Sequence, residues 1–158
     1  MKNKKKEQFM IIMSVDYGDA RTGIAVCDSG EILASPVCTI HERNEAALIE
    51  KIAAVALERK AELIVVGLPK NMDSSEGERA QKSRNFAERL SERTGLPFEM
   101  YDERCTTVVS AASLNFTNTR GKKRKAVIDS LAAVVILEDF LKKRQNKDKR
   151  KICRQNLQ

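Results

Sequence analysis

Four acidic residues stand where hydrophobic segments end or where a charge is out of place, and they define the chemistry open to this chain. Asp16 closes the apolar run FMIIMSV and is followed by a turn, YGDAR. Asp102 and Glu103 close a second run, FEMY. Asp129 lies in AVIDSLAAVVIL, which is apolar over much of a helix's circumference. An ionised carboxylate there is costly to desolvate unless it is paired or bound to a cation. Ser130, Ala132 and Ala133 are small, so this helix can approach a sheet closely enough for a short aspartate to reach the strand ends. His41 is the only histidine, so the chemistry falls to carboxylates, hydroxyls or lysines. Three converging carboxylates without imidazole or thiolate form a hard, oxygen-rich site of the kind that selects Mg²⁺ or Mn²⁺. Two such ions, ~3.5–4 Å apart, can activate water and stabilise the leaving oxygen in phosphodiester cleavage.

The elements that must position these acids follow from periodicity. Three strand-like segments, Phe9–Val15, Gly23–Cys27 and Ile32–Ile40, are joined by short turns. A helix capped by Asn44 runs to about Lys60. ELIVVGLP is a continuous apolar run, typical of a strand buried on both faces. A second helix, about Glu76 to Arg93, begins with a capping box of Ser75 and Glu78 and stops at Gly95 and Pro97. FEMYDE is the fifth strand, and Thr106 or Thr107 starts a short helix through Leu114. The basic loop NTRGKKRK then opens a last helix, Ala126 to about Lys143. Hairpin strands followed by βα units imply an α/β fold with a mixed five-stranded sheet flanked by helices. Sites in such sheets form outside the carboxyl ends of the strands, which sets Asp16 beside Asp102–Glu103 with Asp129 entering from a helix.

The 158 residues read as one domain over 9–143, with basic tails at 1–8 and 144–158 that read as disordered. The net charge is +7, but residues 2–7 carry +3 and 142–158 carry +7, which leaves −3 for residues 8–141. The overall charge alone is therefore weak evidence for a nucleic-acid partner. Arg120, Lys122, Lys123, Arg124 and Lys125 are more telling, because they gather where the last helix begins, and helix-end amides beside a basic cluster suit phosphate. A solvated basic loop fits equally well, and Lys125 can pair with Asp129 one turn on. Aromatic content of 4% without Trp argues against an extensive base-stacking platform, so recognition goes by backbone and shape. The cysteines Cys27, Cys38, Cys105 and Cys153 form no CxxC pair, against both zinc and a disulfide framework. No segment approaches the ~20 apolar residues of a membrane span, and the N-terminus lacks a cleavage site, so the expected location is the cytoplasm.

Each acid also has an ordinary reading. Asp16 before Tyr-Gly suits a turn, and Asp102–Glu103 before Arg104 suits a surface ion pair. Asp129 is harder to dismiss because its helix is so apolar. The three weigh more together, since the topology brings them to one end of the sheet.

The segments VDYGDARTGIAVCD, VVGLPKNMDSSEG, ERAQKSRNFAERL, YDERCTT and KRKAVIDSLAAVVIL, taken in order, resemble the YqgF family of pre-16S ribosomal RNA nucleases, also described as Holliday junction resolvases. The pieces span roughly Val15 to Leu137; the lysine-rich ends are not part of the pattern. The resemblance implies a ribonuclease H-like fold of the resolvase type and Mg²⁺-dependent nuclease chemistry. It implies Asp16, one acid of the DER motif and Asp129 as catalytic, metal-binding residues. Glu103 is preferred for its longer side chain, with Asp102 as second choice. Lys70, Asn71 and Arg104 would position phosphate from strand-end loops, joined by Arg21 and the 120–125 cluster. The implied partner is precursor ribosomal RNA, with branched DNA as the alternative, and the chain would be a monomer or weak homodimer. Two other readings stand beside these. Asp16, Gly18 and Gly23 fit the DxGxxxxG phosphate hairpin of actin-like ATPases and sugar kinases, but those folds need two such domains. A non-catalytic RNA-binding assembly factor could use the tails and the 120–125 loop.

Overall fold

The protein is described by a computed structural model that covers residues 9–69, 77–102 and 122–155. Its strands are β1 (Ile12–Asp16), β2 (Arg21–Cys27), β3 (Ala34–His41), β4 (Leu63–Leu68) and β5 (Phe98–Asp102). Its helices are α1 (Glu45–Glu58), α2 (Glu78–Thr94) and α3 (Lys122–Gln155). They build a mixed five-stranded sheet in the order β3-β2-β1-β4-β5. β1 pairs antiparallel with β2, and β2 with β3, while β1, β4 and β5 run parallel. The mixed sheet expected from hairpins followed by βα units is the one observed.

β4 lies at the centre of the parallel part and is buried at every residue of LIVVGL, as its unbroken apolar run requires. Strand alternation divides the core in two. Ile12, Ala25, Val65 and Tyr101 meet Ala133, Leu137 and Phe140 of α3 on one face. Met13, Val15, Ile24 and Val66 meet Ile52 of α1 and Phe86 and Leu90 of α2 on the other. Asn44 caps α1 as expected, its side-chain oxygen accepting the Ala47 N–H at 3.0 Å. Gly95 ends α2 in the left-handed conformation, with φ of 71°.

Several boundaries differ from the sequence expectation. α2 starts at Glu78 with Gly77 as N-cap and no side-chain cap bond. Glu78 thus occupies the first helical position, not the third that a capping box requires; Ser75 lies outside the described residues. β3 starts at Ala34 because Ile32 and Leu33 belong to the turn, where both N–H groups donate to Asp28 Oδ1 at 2.8 and 3.0 Å. The last helix begins at Lys122 and continues through Gln155, beyond the predicted end near Lys143. No Gly or Pro follows Lys143 to stop it, and Arg144 and Gln145 are held by Glu31. Residues 144–155 are therefore helix, not a loose tail. The short helix expected over 106–114 lies outside the described residues. Among the described residues no helix is long and apolar enough to cross a membrane.

Candidate nuclease site at the carboxyl ends of the parallel strands

Asp16 is the last residue of β1, opposite Gly23 of β2, and the chain then turns tightly. A Cβ on Gly18 would run into the Arg21 carbonyl oxygen, so the turn closes only with glycine there. Tyr17 leaves the turn toward α2 and stacks on Phe86, with ring centroids 4.0 Å apart and planes within 5°. Burial against α2 raises the Tyr17 phenol pKa, with Lys82 acting in the opposite direction. The next turn residue, Asp19, accepts a hydrogen bond from Lys82 Nζ at 2.7 Å. That bond lowers the Asp19 carboxyl pKa and raises that of Lys82. Between this turn and the start of α2 lies a cleft of about 390 Å³, lined by Asp16, Arg21, Pro69, Arg79, Lys82 and Ser83 among others. Asp16 thus lies at the edge of a cleft that Arg21, Arg79 and Lys82 also line.

The other predicted acids are placed by topology. Asp102 is the last residue of β5, paired with Leu68 of β4. Asp16 and Asp102 therefore share one end of the sheet, but β4 separates their strands, so they stand ~9–10 Å apart and not side by side. Alternation separates them further. Ser14 faces α3, its hydroxyl donating to the Ala133 carbonyl at 2.6 Å, and Asp16, two residues on, shares that parity. Tyr101 faces α3 as well, while Met100 packs on the α1–α2 side, which gives Asp102 the parity of that side. Glu103 lies outside the described residues.

α3 runs antiparallel to β1: Ala133 meets Ser14, and Arg144 meets Glu31, which in turn holds the Met10 N–H. Residue 129 is four residues before Ala133, ~6 Å along the helix, and Asp16 is two residues past Ser14, ~6.6 Å along the strand. The α3 backbone at Asp129 therefore comes level with Asp16; the Asp129 side chain lies outside the described atoms. The same holds for the side chains of Lys122, Lys123, Arg124 and Lys125, whose backbone forms the first turn of α3. Lys70, Asn71, Arg104 and Arg120 lie outside the described residues. Arg21 opens β2 and lines the cleft with Asp16. Among the described residues no group of three His, Cys, Asp or Glu side chains is gathered to hold a metal.

Sequence reasoning passed over Tyr17, Asp19, Arg79, Lys82 and Ser83. Arg79 and Lys82 are three residues apart in the first turns of α2, a spacing that puts both on one helix face, and that periodicity was their only signal.

Comparison with known proteins agrees with this architecture. A family model described as RuvX, Holliday junction resolvase, matches residues 10–143. A Rhodopirellula baltica protein named "Putative pre-16S rRNA nuclease" is 43% identical over 134 residues, covering 82% of this chain and 75% of its own. A protein of the same name from Listeria monocytogenes serotype 4b is 41% identical, covering 84% of this chain and 97% of its own. Among solved structures, Thermus thermophilus RuvC in complex with Holliday junction substrate is similar with a TM-score of 0.55 at 11% identity, over 86% of this chain and 96% of that one. The yeast mitochondrial Holliday junction resolvase Ydc2 is similar with a TM-score of 0.57 at 12% identity, over 91% and 83%. The fold is thus the ribonuclease H-like fold of the resolvase type.

Proposed function

The chain belongs to the RuvX, Holliday junction resolvase, family, and from that premise we propose a cytoplasmic, metal-dependent endonuclease that cleaves phosphodiester bonds in structured nucleic acid, with the 5′ end of pre-16S rRNA as its substrate. The observation that carries the reading is Asp16 at the mouth of a cleft bordered by Arg21, Arg79 and Lys82. A carboxylate among cations is poorly explained as a turn residue alone, and the cations suit a phosphate backbone.

The catalytic set is Asp16, Glu103 and Asp129. Glu103 is preferred over Asp102, because Asp102 has the parity of the face opposite Asp16. The donors are carboxylate oxygens alone, which fits Mg²⁺ or Mn²⁺ and no softer ion. When bound, such ions activate water and stabilise the departing oxygen. The chain's own contribution is to hold Asp16 at a rigid strand end and to steer the phosphates with Arg21, Arg79 and Lys82. Lys70, Asn71, Arg104, Arg120, Lys122, Lys123, Arg124 and Lys125 are the further phosphate contacts of this reading.

Asp16→Asn removes the charge and keeps the shape. It is expected to abolish Mg²⁺-dependent cleavage of precursor rRNA, with an unchanged circular dichroism spectrum; full activity in that variant would refute the assignment. Junction resolution is the second reading, favoured by the description of the family model. It calls for two symmetric cuts and hence a dimer. Incubating wild type and Asp16→Asn with precursor rRNA and with a four-way DNA junction, each with and without metal, separates the two. Tight RNA binding without cleavage of either substrate would favour an assembly factor.

A further inference from the structure

The family match ends at residue 143, yet α3 continues without a break through Gln155. Residues 144–155 carry six Arg or Lys against the single acid Asp148. Lys147, Lys149 and Arg150 are exposed. A charge run of this kind is usually a solvated segment. Here it is a helix with a fixed direction, because its base is clamped. Arg144 Nε donates to Glu31 Oε2 at 3.0 Å, Met10 N–H donates to Glu31 Oε1 at 3.0 Å, and Gln145 Nε2 donates to the Glu31 carbonyl at 3.2 Å. Glu31 is only 5% exposed. One residue earlier, Lys143 Nζ donates to Tyr101 Oη at 2.8 Å and lies 4.6 Å from the centre of its ring.

The clamp sits at the amino end of β1, opposite the cleft. From the level of Asp16 to Arg150 is 21 residues of α3, ~32 Å, about one turn of a nucleic-acid duplex. Between the two ends α3 carries Glu138 and Asp139, so the positive surface is interrupted. The extension contains a single large apolar residue, Ile152, and so lacks the apolar face that a membrane-lying helix needs.

We infer that residues 144–155 of α3 form a second phosphate-binding footprint, which grips a duplex arm of the substrate about one helical turn from the point of cleavage. The footprint rests on the nuclease reading only for its distance from the cut; its affinity for duplex phosphate stands on charge and geometry. It selects substrates whose duplex extends far enough to reach both footprints and ignores base sequence, since lysines and arginines on phosphates carry no sequence information.

The test compares the full-length wild type with the triple variant Lys147→Gln, Lys149→Gln, Arg150→Gln, in which glutamine keeps helix propensity. Binding is read by fluorescence anisotropy, without divalent metal, on labelled RNA duplexes of 8 and 24 base pairs over a salt series. The variant should bind the 24-mer at least tenfold more weakly. Its plot of log affinity against log salt should be shallower by about 2–3, near 0.9 for each lost phosphate contact. The 8-mer, held at the cleft, should bind both proteins alike. A conservative variant, Lys147→Arg with Lys149→Arg, should behave as wild type and guards against an effect of misfolding. A matched DNA duplex shows whether the footprint distinguishes the two nucleic acids, and equal losses on both would still support it. Equal affinity of wild type and triple variant for the 24-mer overturns the proposal. So does loss of binding to anionic phosphatidylserine vesicles with none to RNA, which would assign the helix to a membrane surface. Because no metal is present, a protein that failed to cleave any substrate would still report on the footprint.

Discussion

The two ends of the sheet solve the same electrostatic problem in opposite ways. At the amino end of β1, a carboxylate is buried: the Glu31 side chain is 6% exposed and its partner Arg144 30%. At the carboxyl end, the pair is left in water: Lys82 and Asp19 are 53% and 70% exposed. Such a pair holds a geometry, because the Glu31 carboxylate without its partner would be stranded away from water. An exposed pair holds little, and its lysine remains available to exchange its carboxylate for a phosphate. One end therefore fixes the direction of a helix, and the other keeps charge on offer.

The contrast breaks most severely through the packing beneath the exposed end. Phe86 is fully buried and carries the stacked Tyr17 ring that shapes the Asp16 turn. Phe86→Ala should cost about 3–5 kcal/mol in urea unfolding, from lost burial and a cavity. Activity should fall further than stability explains, because Tyr17 loses its support; an unchanged kcat at low temperature would show that the turn holds itself.

The buried end comes next. Glu31→Ala strands the Arg144 guanidinium and the Met10 N–H together, for an expected loss of about 2–3 kcal/mol. Hydrogen exchange at 144–155 should accelerate more than exchange in β4. Uniform acceleration would mean that the clamp stabilises the whole domain and does not direct the helix.

How far these ends were legible from sequence differs for a physical reason. β4 and α1 announced themselves, one by six consecutive buried residues and the other by Asn44 before an apolar stripe, because local pattern is enough to specify a buried strand or a capped helix. Asp16 was visible as a charge closing an apolar run. The strand order was not: β4 between β1 and β5 is a long-range pairing, and without it Asp16 and Asp102 looked like neighbours. Glu31 looked like a hairpin residue, since its partners lie 21 and 113 positions away. Without that contact the basic segment after Lys143 had no visible reason to stay helical. Arg79 and Lys82 were hidden for a related cause: surface cations on a helix look alike until the turn they face is known.

Gly18 offers a smaller and more local perturbation. Gly18→Ala drives a methyl group against the Arg21 carbonyl, and backbone cannot yield as a side-chain tip can. A loss of about 1–2 kcal/mol is expected, with Asp16 displaced at the same time. The measurement is a pair, urea midpoint and metal-dependent cleavage rate. A rate that falls tenfold or more with a small midpoint shift would place the strain at the site.

The mildest change acts on the exposed pair itself. Asp19→Asn should leave the urea midpoint within error, because both partners are solvated. It should instead tighten nucleic-acid binding at low salt, by removing the carboxylate that competes with phosphate for Lys82, and the gain should vanish as salt screens the cleft. Acid provides an independent check with a definite sign. Lys82 holds the Asp19 carboxyl pKa below its usual value of 3.8, so the pair is fully formed above that pH and is lost as pH falls through the lowered value. Between pH 6 and 8, wild type and Asp19→Asn should therefore differ by a constant factor in affinity. A difference that changes across that window would mean another group, and not Asp19, governs whether Lys82 is available.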